Sequence, residues 1–115
     1  MNVKQFYQDI NGSYEKALSI MMNDMLVARL LSKFMASNSF DEIVSSYDKK
    51  DYRALFTAVH AFKGVAGNLA LTPLYEISCA LSEATRNDDS PDVSKEIQQL
   101  KDAYALVKTS YEKNL

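Results

Sequence analysis

The chain of 115 residues has no tryptophan, one cysteine, one histidine, three glycines and two prolines. The single cysteine, Cys79, forbids an internal disulfide and excludes a cysteine-rich metal site. It fits a reducing, cytoplasmic setting. A lone histidine, with no carboxylate pair held beside it by spacing, gives a hydrolase or a metal enzyme nothing to build on. The formal net charge is −2, so there is no basic field for nucleic acid and no polybasic patch for a membrane surface. No apolar run approaches the roughly 18 residues of a membrane span, and no signal peptide is visible. The most apolar stretch, from Leu18 to Leu31, is interrupted by Asn23, Asp24 and Arg29. Glycine-rich nucleotide loops and a P-loop lysine motif are missing too, so the chain is expected neither to bind ATP nor to phosphorylate itself.

What is present describes one soluble globular domain over residues 1–115, with 47% apolar and 24% charged residues. So few helix breakers point to long helices and short connections. Val3, Phe6, Tyr7 and Ile10 make one face of a short N-terminal helix, and Ser13 can cap a second after the Asn11-Gly12-Ser13 turn. Asp24 can open the next helix, with Val27, Leu30, Leu31 and Phe34 inward. That helix either bends through Asn38-Ser39 or restarts there, and Ser39-Phe40-Asp41-Glu42 reads as a capping box that favours the restart. Asp51 opens a central helix whose apolar positions are Tyr52, Leu55, Val59, Phe62, Ala66 and Leu69. Thr72-Pro73 and Ser90-Pro91 both read as a cap followed by proline at the first helical position. Arg86-Asn87-Asp88-Asp89-Ser90 reads as a polar turn. Val93, Ile97, Leu100, Tyr104, Val107 and Tyr111 form the seam of the last helix. With no strand-like alternation, the expected fold is all-α: an antiparallel up-down four-helix bundle, roughly residues 24–49, 51–69, 73–87 and 92–113, with the short N-terminal helices over one end.

His60 stands out on the central helix. Measured from Leu55, it lies at roughly 140° from the core direction, Gly64 at about 180°, Gly67 at about 120°, Phe56 at about 100° and Lys63 at about 80°. His60 therefore points outward, with Phe56 and Gly64 four residues away and Lys63 three away, spacings at which helical side chains meet. Arg53 shares the stripe, at about 160°. Each helical glycine costs about 1 kcal/mol relative to alanine. Missing side chains are useful where something must come close. Gly67 can partly serve helix packing, whereas Gly64 faces directly away from the core. An exposed imidazole is a competent nucleophile near neutral pH. Lys63 could pair with a phosphoryl group on it, and Phe56 could offer a partner an apolar contact. Cys79 reads as a small core-edge residue.

The run Ala58-Val59-His60-Ala61-Phe62-Lys63-Gly64-Val65-Ala66-Gly67-Asn68-Leu69 resembles the signature of histidine-containing phosphotransfer (HPt) domains. A histidine is followed by Lys-Gly at +3 and +4 and by glycine at +7. Lys50-Asp51-Tyr52-Arg53-Ala54-Leu55 is similar to the family's helix start. The resemblance covers nearly the whole chain. It implies a monomeric four-helix bundle that carries a phosphoryl group between receiver-domain aspartates in a multistep phosphorelay, fed by a hybrid histidine kinase or a response regulator. By the same resemblance, His60 is the phosphorylated residue and Lys63 sits beside the phosphate. Gly64 and, in part, Gly67 leave room for the receiver, and Arg53 and Phe56 lie on the docking face. The domain is then a phosphocarrier rather than an enzyme. It needs no cofactor or metal of its own, because magnesium comes with the partner's aspartate pocket. Two departures stand out. Many members have glycine at the position of Ala70, and many have a glutamine where Ser82 falls, positioned to hydrogen-bond the histidine. A serine there reaches only through water. The alternative function is a helical module that binds receivers without carrying phosphate, and an intact His60 and Lys63 argue against it.

Overall fold

A computed structural model describes residues 1–87 and 90–115. Asp88 and Asp89, in the expected polar turn, lie outside the described residues. Seven helices follow one another: α1 (Val3–Asp9), α2 (Tyr14–Met21), α3 (Asp24–Ala36), α4 (Ser39–Asp48), α5 (Tyr52–Asn68), α6 (Thr72–Thr85) and α7 (Ser94–Asn114). No strand occurs among the described residues, and the all-α bundle expected from the apolar spacing is what forms. Its long dimension of 42 Å exceeds the roughly 32 Å of a 21-residue helix, the length of α7.

The core follows the apolar periodicity. Leu55, Val59, Phe62, Ala66 and Leu69 of the α5 segment are buried, as are Leu74 and Leu81 of α6 and Ile97, Leu100 and Val107 of α7. Phe34 of α3 packs on Phe62 with ring centroids 5.4 Å apart, and Tyr104 of α7 closes the cluster at 6.2 Å from Phe34. Phe40 of α4 stacks on Tyr104 at 4.0 Å. Such aromatic contacts add roughly 0.5–1.5 kcal/mol each beyond their buried area.

Val3, Phe6 and Tyr7 of α1 are fully buried, so the N-terminal helices are part of the core. The Tyr7 hydroxyl donates to the Leu69 carbonyl at 2.6 Å, and burial pushes its phenol well above the usual range. That bond ties α1 to the C-terminal end of α5.

Several helix ends differ from the sequence expectation. The stretch 24–49 is two helices, α3 and α4, broken at Ser37-Asn38. The capping box does not form: Asn38 is the N-cap of α4 without a side-chain cap bond, and the Ser39 hydroxyl pairs with Ser37 at 2.9 Å. Asn23, not Asp24, caps α3 by accepting the Leu26 N–H at 2.8 Å. Asp24 instead accepts the Tyr14 hydroxyl at 2.7 Å. Thr72 lies inside α6, with Leu71 as N-cap. Pro91 does not begin α7, which starts at Ser94. Asp92 accepts both the Ser94 N–H and hydroxyl there, and these bonds lower its carboxyl below the usual range. The Ser13 and Asp51 caps form as expected, accepting the Lys16 N–H at 3.2 Å and the Ala54 N–H at 3.1 Å.

Four helices end on a non-glycine residue in the left-handed region, α2 at Met22 with φ 76° and three others that close alike. Asn11, Lys50 and Ala70 all have φ near +56°, and the next residue's N–H reaches back five residues, to Tyr7, Ser46 and Ala66. This is the Schellman closure, which usually uses glycine. Few glycines therefore did not mean few breaks.

Candidate functional site

Asp51 starts α5 with a side-chain cap, and the buried stripe from Leu55 to Ala66 fixes how the helix rolls against its neighbours. This roll turns position 60 outward. His60 is exposed, as are Arg53 and Gly64, while Phe56, Lys63 and Gly67 are half-buried. No hydrogen bond joins the His60 ring to another described residue. Its ring contact is Phe56, one turn earlier, with centroids 5.9 Å apart and planes 23° from parallel.

α5 and α6 run antiparallel. The Arg86 guanidinium, just past α6, lies 6.0 Å from the Phe56 ring centre. A Cβ on Gly67 would come within 3.0 Å of the Tyr75 ring. Both pairs give one register, which sets His60 level with Ser82 and Lys63 level with Cys79. Glu83 pairs with Arg86 at 3.5 Å on the open surface. Lys50, Arg53, Phe56 and Arg86 line one cleft at the start of α5.

The two helical glycines part company. A Cβ on Gly64 would meet nothing within 4 Å, so no packing inside the fold calls for a glycine there. Gly67 has an internal reason, the Tyr75 ring lying against it. Neither has positive φ, so neither is needed for backbone conformation.

Ser82 is level with His60 but turned inward. It is 1% exposed, and its hydroxyl has no hydrogen-bond partner among the described residues. Its neighbours on the buried face of α6 avoid that cost. Ser78 donates to the Leu74 carbonyl at 2.7 Å and Thr85 to the Leu81 carbonyl at 2.8 Å. The 4-then-3 spacing of Ser78, Ser82 and Thr85 is the sign of this polar buried stripe that the sequence carries. Arg86, part of the expected polar turn, joins the site only through the register of α6 against α5.

Among the described residues, no group of three His, Cys, Asp or Glu side chains is placed to hold a metal ion. No helix there is long and apolar enough to cross a membrane. Chemically, the arrangement is a solvent-facing imidazole with a cation at +3, an aromatic ring at −4 and an unfilled surface at +4.

The family model of the Hpt domain matches residues 25–110, which takes in α4, α5 and α6 whole and most of α3 and α7. Searches of curated proteins and of solved structures returned no match. The chain belongs to the Hpt domain family, a family of phosphotransfer modules in two-component signalling.

Proposed function

We propose that this protein is a phosphohistidine carrier in a multistep phosphorelay, taking a phosphoryl group from a receiver-domain aspartate onto His60 and passing it to another. The observation that carries this reading is Gly64, an exposed glycine inside a helix, four residues from an exposed histidine, with open space where its side chain would be. A glycine that costs the helix about 1 kcal/mol and is not needed for packing makes sense where another protein must lie against that surface.

In the transfer, the lone pair of an unprotonated His60 ring nitrogen attacks the phosphorus of the aspartyl phosphate. The P–N bond forms, the P–O bond to the aspartate breaks, and the carboxylate leaves. The reverse reaction reloads an aspartate. Lys63 supplies positive charge beside the transferred group, where a charge-assisted hydrogen bond is strongest. Arg53 and Phe56 extend the docking face, while Gly67, with the Tyr75 ring against it, serves the packing of α6 on α5. The divalent ion belongs to the receiver's pocket. The chain supplies an acceptor of the right reach and no nucleotide chemistry.

The test is to incubate the protein with phosphorylated receiver domains from the same organism and to look for acid-labile phosphate on it. Wild type should acquire it and His60→Gln should not. Label on the His60→Gln protein would overturn the assignment. Receiver binding and normal signalling by His60→Ala would favour the phosphate-free binding module instead.

A further inference from the structure

An exposed imidazole on a helix turns freely about its last torsion unless something holds the ring, and a nucleophile that wanders loses rate. Here a hydrogen bond from α6 is not what holds it. Ser82 is level with His60, yet it is buried at 1% exposure and its hydroxyl has no partner among the described residues. What does touch the ring is Phe56, near-parallel at 5.9 Å. Phe56 is in turn flanked by the Arg86 guanidinium at 6.0 Å, itself paired with Glu83 at 3.5 Å.

From this contact chain we infer that Phe56, backed by Arg86, is the positioning residue for His60, fixing the imidazole plane by stacking. The chemistry favours such a device. Stacking occupies a face of the ring, whereas both nitrogens carry their lone pair or proton in the ring plane. The stack therefore restrains the ring and leaves both edges clear for phosphorus. A hydrogen bond to a ring nitrogen would restrain it too, but would engage one of those edges. Arg86 limits the swing of Phe56 through a cation–π contact, and its own freedom is reduced by Glu83 one turn back.

The inference rests on the reading of His60 as a phosphate carrier, and its test separates the two. The probe is phosphoramidate, a donor too small to need a docking face; its P–N bond breaks, ammonia leaves, and a P–N bond to His60 forms. The rate of His60 phosphorylation is measured beside the ring-current displacement of the His60 ring protons by NMR. With a stacking preference of ordinary size, Phe56→Leu should slow labelling roughly two- to twelve-fold and remove the ring-current displacement. Phe56→Tyr should restore both. Arg86→Gln should lose part of each, and Ser82→Ala should keep both. Labelling of Phe56→Leu at the wild-type rate, or Ser82→Ala slowed as much as Phe56→Leu, overturns the positioning role alone. A folded wild-type chain that takes no phosphoryl group from phosphoramidate or from any phosphorylated receiver removes the carrier reading, and the positioning role with it.

Discussion

Gly64→Ala adds one methyl group to the outer face of α5 and separates stability from function. The added Cβ would have no neighbour within 4 Å, and the position lies in the interior of a 17-residue helix. Replacing glycine by alanine in such a place is worth about 1 kcal/mol in favour of the folded state. For a domain of this size that raises Tm by about 4 °C. The effect on transfer from a receiver should have the opposite sign. If the receiver packs against the bare backbone at Gly64, a methyl group overfills the contact at about 1–3 kcal/mol. That corresponds to a loss of roughly 5- to 150-fold in kcat/KM. Labelling by phosphoramidate, which needs no docking, should be almost unchanged. The assay is thermal unfolding together with both phosphorylation rates. Gly67→Ala is the internal comparison, because its Cβ would press on the Tyr75 ring at 3.0 Å. It should stabilise less than Gly64→Ala. A Gly64→Ala protein that is more stable and accepts phosphate from the receiver at the wild-type rate would refute the idea that this glycine is kept for a partner.

Ala70 holds a left-handed conformation, φ 55°, that costs a residue with a Cβ roughly 1–2 kcal/mol. Ala70→Gly should therefore raise the unfolding midpoint in urea, and a lowered midpoint would show that the buried methyl contributes more than the strain. Hydrogen bonds from Gln5 and then Asn114 hold the Asp9 carboxyl below its ordinary value of 3.8. Because the folded-state pKa is the lower one, this stabilisation is present above the ordinary value and is lost as pH falls through the folded one. The Tm difference between wild type and Asp9→Asn should accordingly shrink in acid, and a difference that stays constant down to pH 2 would count against it. Phe62→Ala, at the centre of the aromatic cluster, should cost about 3–5 kcal/mol in denaturant unfolding, and a loss under 1 kcal/mol would mean that the core closes around the gap.

The parts of this molecule that were legible in its sequence are those set by spacing along one helix. Leu55, Val59, Phe62 and Ala66 are buried, and His60 and Gly64 are exposed, because 3.6 residues per turn leaves no other arrangement once one face is apolar. Features set by a second element were not legible. The contact of Arg86 with Phe56 and of Tyr75 with Gly67 depends on the register of α6 against α5, which no single-helix pattern contains. Helix starts differ for a related reason: which side chain reaches the first free N–H depends on neighbouring elements, as where the Tyr14 hydroxyl takes Asp24 and leaves the cap of α3 to Asn23. The buried hydroxyls of Ser78 and Thr85 escaped notice because each satisfies itself on a carbonyl four residues back, which hydropathy does not register.

The meeting of the two chain ends has a consequence for how such a domain can be used. The Asn2 N–H donates to the Asn114 carbonyl at 2.8 Å, and the Asn114 amide donates to Asp9 at 3.0 Å. The path of the backbone is thus nearly a closed loop. A host protein could carry this bundle within one of its surface loops and span almost no gap to do so, because closing a loop across a short distance depends only weakly on how much folded chain lies between. Joining the two ends by a short linker and opening the chain elsewhere should likewise leave α5 and its outward histidine undisturbed.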